Sequence, residues 1–328
     1  MTTMRFAMPK TVPAGLWRRV PPLIFVPVLG ALELVLAWRD AVAVFALNTG
    51  LVEAGAGALS LLTLFAALTY AVKLSWRPAV LADELKILPG RAGVAAGVLA
   101  LYLLAGVLVP YAPGLARGLL LLAMALHGVT LAVLLSVLRN GPAEQRRVSP
   151  VWHLNWAGFL VAAKVALSLG WPGLAAALLW PSLVAAVAIW AISARQFAAV
   201  APPAPLRPLL AVHAAPFALI AMVAAGLGHD TVAAVSAVAG LLLVLALLLS
   251  ARWLLASGFS PMWGAFTFPL SASAGAWLAL TQGGLPGARI VAGLLLLAAT
   301  LAISPILFLI LRDWARGRLA VKTNAAIA

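Results

Sequence analysis

The chain has 328 residues, of which 65% are hydrophobic and 9% are charged, and its mean hydropathy is +1.10. A soluble domain cannot hide this much apolar surface from water, so the composition excludes a soluble enzyme and indicates a membrane protein. The 22 lysine and arginine residues outnumber the 8 acidic residues, which gives a net charge of +14. Because the basic residues are dispersed over many loops, they indicate membrane topology rather than nucleic-acid binding.

The apolar segments predict ten membrane spans. A spanning helix needs ~20 apolar residues, and the chain length accommodates roughly ten of them with short loops. We expect residues 1–20 to form a cytoplasmic tail, residues 21–311 a transmembrane domain and residues 312–328 a second cytoplasmic tail. The predicted spans, in chain order, are 21–38, 54–74, 92–109, 115–138, 151–170, 174–196, 207–227, 231–255, 262–283 and 288–311.

The basic residues predict the orientation. The tails and the even-numbered loops contain 18 of the 22, whereas the other side has only Arg39, Arg117 and Arg289, with Lys164 inside a span. The positive-inside rule then places both termini in the cytoplasm, which agrees with an even number of spans. We expect a multi-pass protein of the bacterial inner membrane.

Proline residues distinguish some of the predicted spans. Pro27, Pro216 and Pro269 lie inside spans 1, 7 and 9, and Pro305 lies inside span 10. An interior proline removes a backbone hydrogen bond, and in hydrocarbon the freed carbonyl needs another partner. Such helices favour a protein-lined cavity, so we expect antiparallel hairpins with the odd helices inside and the even helices outside, around a pore.

The string WGAFTFP at residues 263–269 begins span 9. Successive helical residues rotate by ~100°, so Phe266 and Phe268 cannot both face one axis. Thr267, Ser271 and Gly275 share a small, weakly polar stripe. One phenylalanine can plug a pore while the other packs, and ordinary packing of both rings is the alternative.

Two charges are clearly embedded in the predicted spans. Glu33 and Lys164 lie at similar depths in spans 1 and 5, and we hypothesise that they neutralise each other in the inner ring or near the external mouth. Lys164 is then either an anion-attracting site or half of a structural clasp. Because the spans contain no carboxylate ring, anion conduction is favoured over cation conduction.

The histidines do not indicate a metal site. His127, His153 and His213 lack the spacing of helical metal ligands, and no cofactor motif is visible. We expect them to be satisfied polar packing residues. The alternative is that His213 or Asn155 lines a pore.

Four segments together resemble one known family. They are IFVPVLG at residues 24–30, SPVWHLNW at 149–156, RPLLAVHAAPFAL at 207–219 and WGAFTFPLSASA at 263–274. In order and placement they resemble the tellurite-resistance and C4-dicarboxylate transporter family, which includes bacterial TehA-like proteins and the plant guard-cell slow anion channels. The resemblance covers nearly the whole chain.

This resemblance implies a ten-helix channel made of five helical hairpins around a central pore, assembled as a homotrimer. It implies that small inorganic or organic anions pass through the pore and that Phe268, in helix 9, closes it. With this resemblance, the pore-lining candidates are Phe266, Thr267, Ser271, Asn155, His213, Pro27, Pro216 and Pro269.

Two other classes are considered. A secondary transporter that exports a C4-dicarboxylate, tellurite or another small solute is the main alternative, since the family name records such activities. An integral-membrane transferase would need clustered acidic residues, and Asp83 with Glu84 is the only adjacent acidic pair. We therefore expect a protein that is not an enzyme and needs no cofactor or metal.

Overall fold

The computed structural model describes residues 15–328, so most of the predicted N-terminal tail, with Arg5 and Lys10, lies outside the described residues. The described part of the chain is helical and contains no strand. Its α-helices are α1 (Phe25–Phe45), α2 (Gly50–Trp76), α3 (Val80–Leu85), α4 (Leu88–Leu108), α5 (Pro113–Asn140), α6 (Phe159–Ser168), α7 (Pro172–Ala199), α8 (Ala214–Gly226), α9 (Asp230–Leu249), α10 (Ala251–Leu254), α11 (Thr267–Gln282), α12 (Ala288–Ala315) and α13 (Arg318–Lys322).

Several helices begin with a different helical geometry. Short 3-10 helices precede α1 at Pro22–Ile24, α8 at Ala204–His213 and α11 at Pro261–Phe266, and a π-helix at His153–Ala157 precedes α6. Within residues 15–328, eight helical segments are long and apolar enough to cross a membrane. The protein is therefore an all-α, multi-pass membrane protein.

Three of the four prolines expected inside α-helices lie at their starts. Pro27, Pro216 and Pro269 are each the third residue of an α-helix, namely α1, α8 and α11. A 3-10 helix runs directly into each of these α-helices, so each proline has helical residues on both sides and its missing N–H falls where the two geometries join. Each of these three prolines follows the change from 3-10 to α-helical geometry inside one continuous helical segment, and Pro305 lies inside α12.

Burial separates the long helices into two groups. The most apolar windows of the segments containing α1, α4 and α8 are 83%, 78% and 72% buried, whereas those of α2, α5, α7, α9 and α12 are 17–28% buried. Helices α6 and α11 are also mostly buried. The large apolar side chains exposed on the second group are those that a lipid environment would cover.

The five buried helices pack on one another in a closed order. Helix α1 contacts α4, α4 contacts α6, α6 contacts α8, α8 contacts α11, and α11 returns to α1. We call these five helices the inner ring. Each exposed long helix packs on the inner-ring helix that precedes it in the chain: α2 on α1, α5 on α4, α7 on α6, α9 on α8 and α12 on α11.

Glycine permits close helix contacts in this ring. A Cβ atom on Gly93 of α4 would overlap the backbone of Pro22 and Leu23, and one on Gly97 would lie 3.0 Å from the ring of Phe25. The start of α1 is therefore held directly against α4.

The end of the chain packs back on the helices. Helix α12 ends at Ala315, four residues after the predicted end of span 10, and α13 follows within the predicted C-terminal tail. The backbone nitrogen of Ala328 donates to the carbonyl oxygen of Arg18 at 2.9 Å, and that of Ala326 donates to Oε1 of Glu84 at 3.1 Å.

Candidate functional site

Phe268 lies where the inner-ring helices meet. It is the second residue of α11 and is only 3% exposed. Its ring lines a cavity of about 10 Å³, whose other walls are Leu99 of α4, Pro216 of α8, and residues of the π-helix and α6, among them His153. Three other inner-ring helices, α4, α6 and α8, therefore line the cavity beside this side chain, and little space remains there.

Phe266 has a different environment. It ends the 3-10 helix before α11 and is half-buried. Its ring packs edge-on against Trp263, with a centroid distance of 6.3 Å and an interplanar angle of 80°. The two phenylalanines therefore lie in different environments, one half-buried in the 3-10 helix and one buried in α11.

Thr267 and Ser271 are fully buried, and their hydroxyl groups bond to backbone oxygens. Oγ1 of Thr267 donates to Gly264 at 2.7 Å, and Oγ of Ser271 lies 3.0 Å from the carbonyl oxygen of Phe268. Farther along the same stripe, a Cβ atom on Gly275 would lie 3.4 Å from Oε1 of Glu33. This stripe therefore packs against α1, and both of its hydroxyl groups donate hydrogen bonds to backbone oxygens within the protein.

Asn155 lies in the π-helix before α6. Its Nδ2 donates to the carbonyl oxygen of Val151 at 3.2 Å, and its backbone oxygen lies 2.9 Å from Nε2 of His127. Nδ1 of the same histidine lies 3.1 Å from the hydroxyl of Tyr102. If Nε2 donates to Asn155, Nδ1 accepts from Tyr102, and a neutral imidazole satisfies both groups.

His153 and His213 form a pair that the sequence does not reveal. Nε2 of His153 lies 2.9 Å from Nδ1 of His213, although the residues are 60 positions apart. His153 lines the small cavity beside Phe268, and His213 lines a much larger one. The pair therefore stands between the two cavities.

The larger cavity has a volume of about 810 Å³. Its walls include the start of α4, the loop after α5, the last turns of α7 and α9, and the 3-10 helix before α8. Lys86, Arg91 and Arg147 line it together with one carboxylate, that of Glu144. Because the ammonium of Lys86 is paired with Asp83, the lining residues carry only a small excess of positive charge. His213 is the point at which this cavity approaches the inner ring.

Glu33 and Lys164 form an ion pair. Nζ of Lys164 lies 2.5 Å from Oε1 of Glu33, and the two side chains are 15% and 0% exposed. Gly275, next to this pair, is seven residues after Phe268, so the pair lies ~10 Å farther along α11. Asp40 lies within α1, although the first predicted span ends at residue 38. Its charge interacts with that of Lys164.

Within residues 15–328, no group of three or more histidine, aspartate or glutamate residues could hold a metal ion. Comparison of the chain with protein-family models gives no match, and comparison with curated proteins gives none either. The family resemblance and the roles of the candidate residues therefore stay predictions.

Proposed function

We propose that this protein is an anion channel, or a channel-like transporter, of the tellurite-resistance and C4-dicarboxylate transporter family, and that Phe268 closes its pore. The observation that carries this proposal is the position of Phe268 of α11 against α4, α6 and α8, beside a cavity of only about 10 Å³. An apolar side chain at such a constriction stops ions because it excludes water.

The proposed architecture has ten spans in five hairpins. The eight apolar segments supply eight of them, and the segments that end in α6 and α11 supply the other two. The packing of each exposed helix on the preceding inner-ring helix supports this arrangement. We propose a homotrimer in the bacterial inner membrane, with both termini in the cytoplasm.

Small inorganic or organic anions are the proposed permeant species. The larger cavity carries three basic residues and one carboxylate, and it approaches the Phe268 cavity through the pair of His153 and His213. With Lys86 paired to Asp83, a small net positive charge remains along this cavity, which favours anions over cations. No ring of carboxylates faces the interior in the described residues, so cation selectivity has no structural basis there.

The alternative is a secondary transporter or exporter of C4-dicarboxylates, tellurite or another small solute. The observation that favours it is the ion pair of Glu33 and Lys164, which lies ~10 Å from Phe268, because alternating access needs two closures in series. The transferase alternative is disfavoured, because Asp83 pairs with Arg77 and Lys86 and Glu84 pairs with Lys73.

The test compares wild-type protein with Phe268→Ala in a planar bilayer under a chloride or nitrate gradient. We expect an anion-selective current that appears or rises strongly only in Phe268→Ala. Phe266→Ala is the matched control, because it removes the same ring two residues away from a half-buried position.

Equal currents in Phe268→Ala and Phe266→Ala would contradict the assignment of the gate to Phe268. Silence in all three proteins, combined with saturable solute flux in liposomes, would favour the transporter and leave Phe268 as a packing residue.

A further inference from the structure

The ion pair of Glu33 and Lys164 joins two helices that are not neighbours in the inner ring. Glu33 belongs to α1 and Lys164 to α6, and α4 separates these helices on one side while α8 and α11 separate them on the other. A contact of 2.5 Å between their side chains therefore crosses the ring.

The dimensions of a five-helix ring agree with such a crossing. Packed helix axes are ~8–10 Å apart, so non-adjacent axes in a regular ring of five are ~13–16 Å apart. Subtracting a backbone radius of ~2.3 Å for each helix leaves ~8–12 Å between facing backbones. One lysine and one glutamate side chain, joined by a hydrogen bond, can span this gap.

The surroundings of the pair also indicate a central position. A Cβ atom on Gly275 of α11 would lie 3.4 Å from Oε1 of Glu33 and 3.1 Å from the sulfur of Met222 in α8. Helices α1, α6, α8 and α11 therefore converge at this level. The ring interior is closed here by charges and ~10 Å away by Phe268.

The pair leaves hydrogen-bonding capacity unused. Among residues 15–328, Glu33 is the one hydrogen-bond partner of the Lys164 ammonium, which has three N–H donors, and Oε2 of Glu33 is buried without a partner. The ammonium of Lys73 donates both to Glu84 and to the carbonyl oxygen of Val20, so it has one partner more than that of Lys164, although Oε2 of Glu84 is also buried without a partner. A buried clasp stabilises a fold only when its remaining polar atoms are also satisfied.

We infer that Lys164 is a binding site for a small monovalent anion inside the inner ring, and that Glu33 occupies this site when no anion is bound. The inference rests on the proposed function and specifies where the permeating anion binds. The anion accepts hydrogen bonds from the free N–H groups of Lys164, whose side chain is 15% exposed. It displaces the carboxylate of Glu33. The displaced Glu33 is buried and has no other hydrogen-bond partner, so it takes up a proton from water as the anion binds.

The test measures anion binding directly. Thermal unfolding of the purified full chain is followed while nitrate replaces gluconate at constant ionic strength. We expect nitrate to raise Tm of the wild type. In Glu33→Gln, the nitrate concentration that gives half of the rise in Tm should be about tenfold lower than in the wild type, because no carboxylate competes for Lys164. Glu53→Gln is the matched control, since it removes a carboxylate of α2, outside the inner ring, from the half-buried pair with Arg39.

The double variant Glu33→Gln/Lys164→Met removes both charges together, which avoids leaving one of them buried alone. We expect it to lose the nitrate-dependent rise in Tm. A rise that persists in the double variant, or an unchanged half-saturating concentration in Glu33→Gln, would overturn the inference.

Currents in the Phe268→Ala background separate this inference from the proposed function. Nitrate-dependent stabilisation without any current would support the site at Lys164 and contradict the channel. A current in Phe268→Ala without nitrate-dependent stabilisation of any variant would support the channel and overturn the site.

Discussion

Gly30 and Thr267 bring α1 and α11 into backbone contact. A Cβ atom on Gly30 would overlap the side chain of Thr267 and lie 2.6 Å from the backbone nitrogen of Phe268. Oγ1 of Thr267 also lies 3.3 Å from the carbonyl oxygen of Val26. The backbone position of Phe268 is therefore set by direct contact with α1.

Gly30→Ala should destabilise the protein and disturb the position of Phe268. The added methyl group would meet backbone atoms that cannot rotate away, and overpacking of this kind costs about 1–3 kcal/mol. At about 2–4 °C per kcal/mol, Tm in detergent should fall by several degrees.

Gly118→Ala in α5 is the matched control. A Cβ atom there has no neighbour within 4 Å, and alanine is the better helix former, so Tm should stay constant or rise slightly. Equal Tm values for the two variants would contradict the tight packing of α1 on α11.

An all-α, multi-pass membrane protein follows from the sequence, and eight apolar segments confirm it, but hydropathy does not separate the helices of the inner ring from the others. The segments α2 and α4 have hydropathies of 1.8 and 1.9, yet their apolar windows are 17% and 78% buried. Lipid and protein interior are both apolar, so hydropathy alone cannot distinguish a helix that faces lipid from one that is enclosed.

Of the polar pairs His153 with His213 and Glu33 with Lys164, only the second could be predicted from the sequence. The distance in sequence between His153 and His213 conceals their contact, because helical spacing rules apply only to residues a few positions apart. The pair of Glu33 and Lys164 was accessible because its members are rare charges at matching depths. Asp40 was missed because α1 extends to Phe45, seven residues beyond the predicted end of the span.

His127→Phe should lower stability although it preserves much of the ring volume. His127 is 2% exposed, and it contacts the hydroxyl of Tyr102 and the backbone oxygen of Asn155. Loss of the imidazole leaves these buried groups unsatisfied, at about 1–3 kcal/mol for each. We expect a clear fall in Tm, with partial recovery in His127→Gln.

His229→Phe is the matched control for this prediction, because His229 is exposed just before α9. It should change Tm little. If His127→Phe has the same Tm as the control, the hydrogen bond of His127 to the π-helix does not contribute to stability.

Lys73 and Glu84 should behave as a coupled pair. Both side chains are 0% exposed and form an ion pair between α2 and α3. Lys73→Met strands a buried carboxylate, and breaking a buried pair costs about 3–5 kcal/mol. The double variant Lys73→Met/Glu84→Leu should recover much of this loss, because it buries no charge.

A double-mutant cycle based on Tm measures this coupling, with Lys86→Met as the exposed control. Lys86 is 53% exposed in its pair with Asp83, so its replacement should cost at most about 1 kcal/mol. Additive effects of the two buried substitutions would contradict the coupling.

Asp83→Asn should reduce the loss of stability that occurs as the pH falls into the acidic range. Asp83 lies in α3, outside the long apolar helices, and Nζ of Lys86 and a guanidinium nitrogen of Arg77 each lie 2.8 Å from its oxygens. The hydrogen bond from Lys86, assisted by Arg77, lowers the pKa of this carboxyl below its usual 3.8. A lowered pKa in the folded state means that the contribution is present above pH ~4 and is lost as pH falls through the folded value.

The expected difference is small, because exposed ion pairs contribute about 0.2–1 kcal/mol each. At pH 7, Tm of Asp83→Asn should lie below that of the wild type by a few degrees at most, and the two values should converge towards pH 3. Glu144→Gln controls for the loss of an exposed carboxylate that forms no ion pair within residues 15–328. A difference that stays constant between pH 7 and pH 3 would show that Asp83 stabilises the protein without its charge.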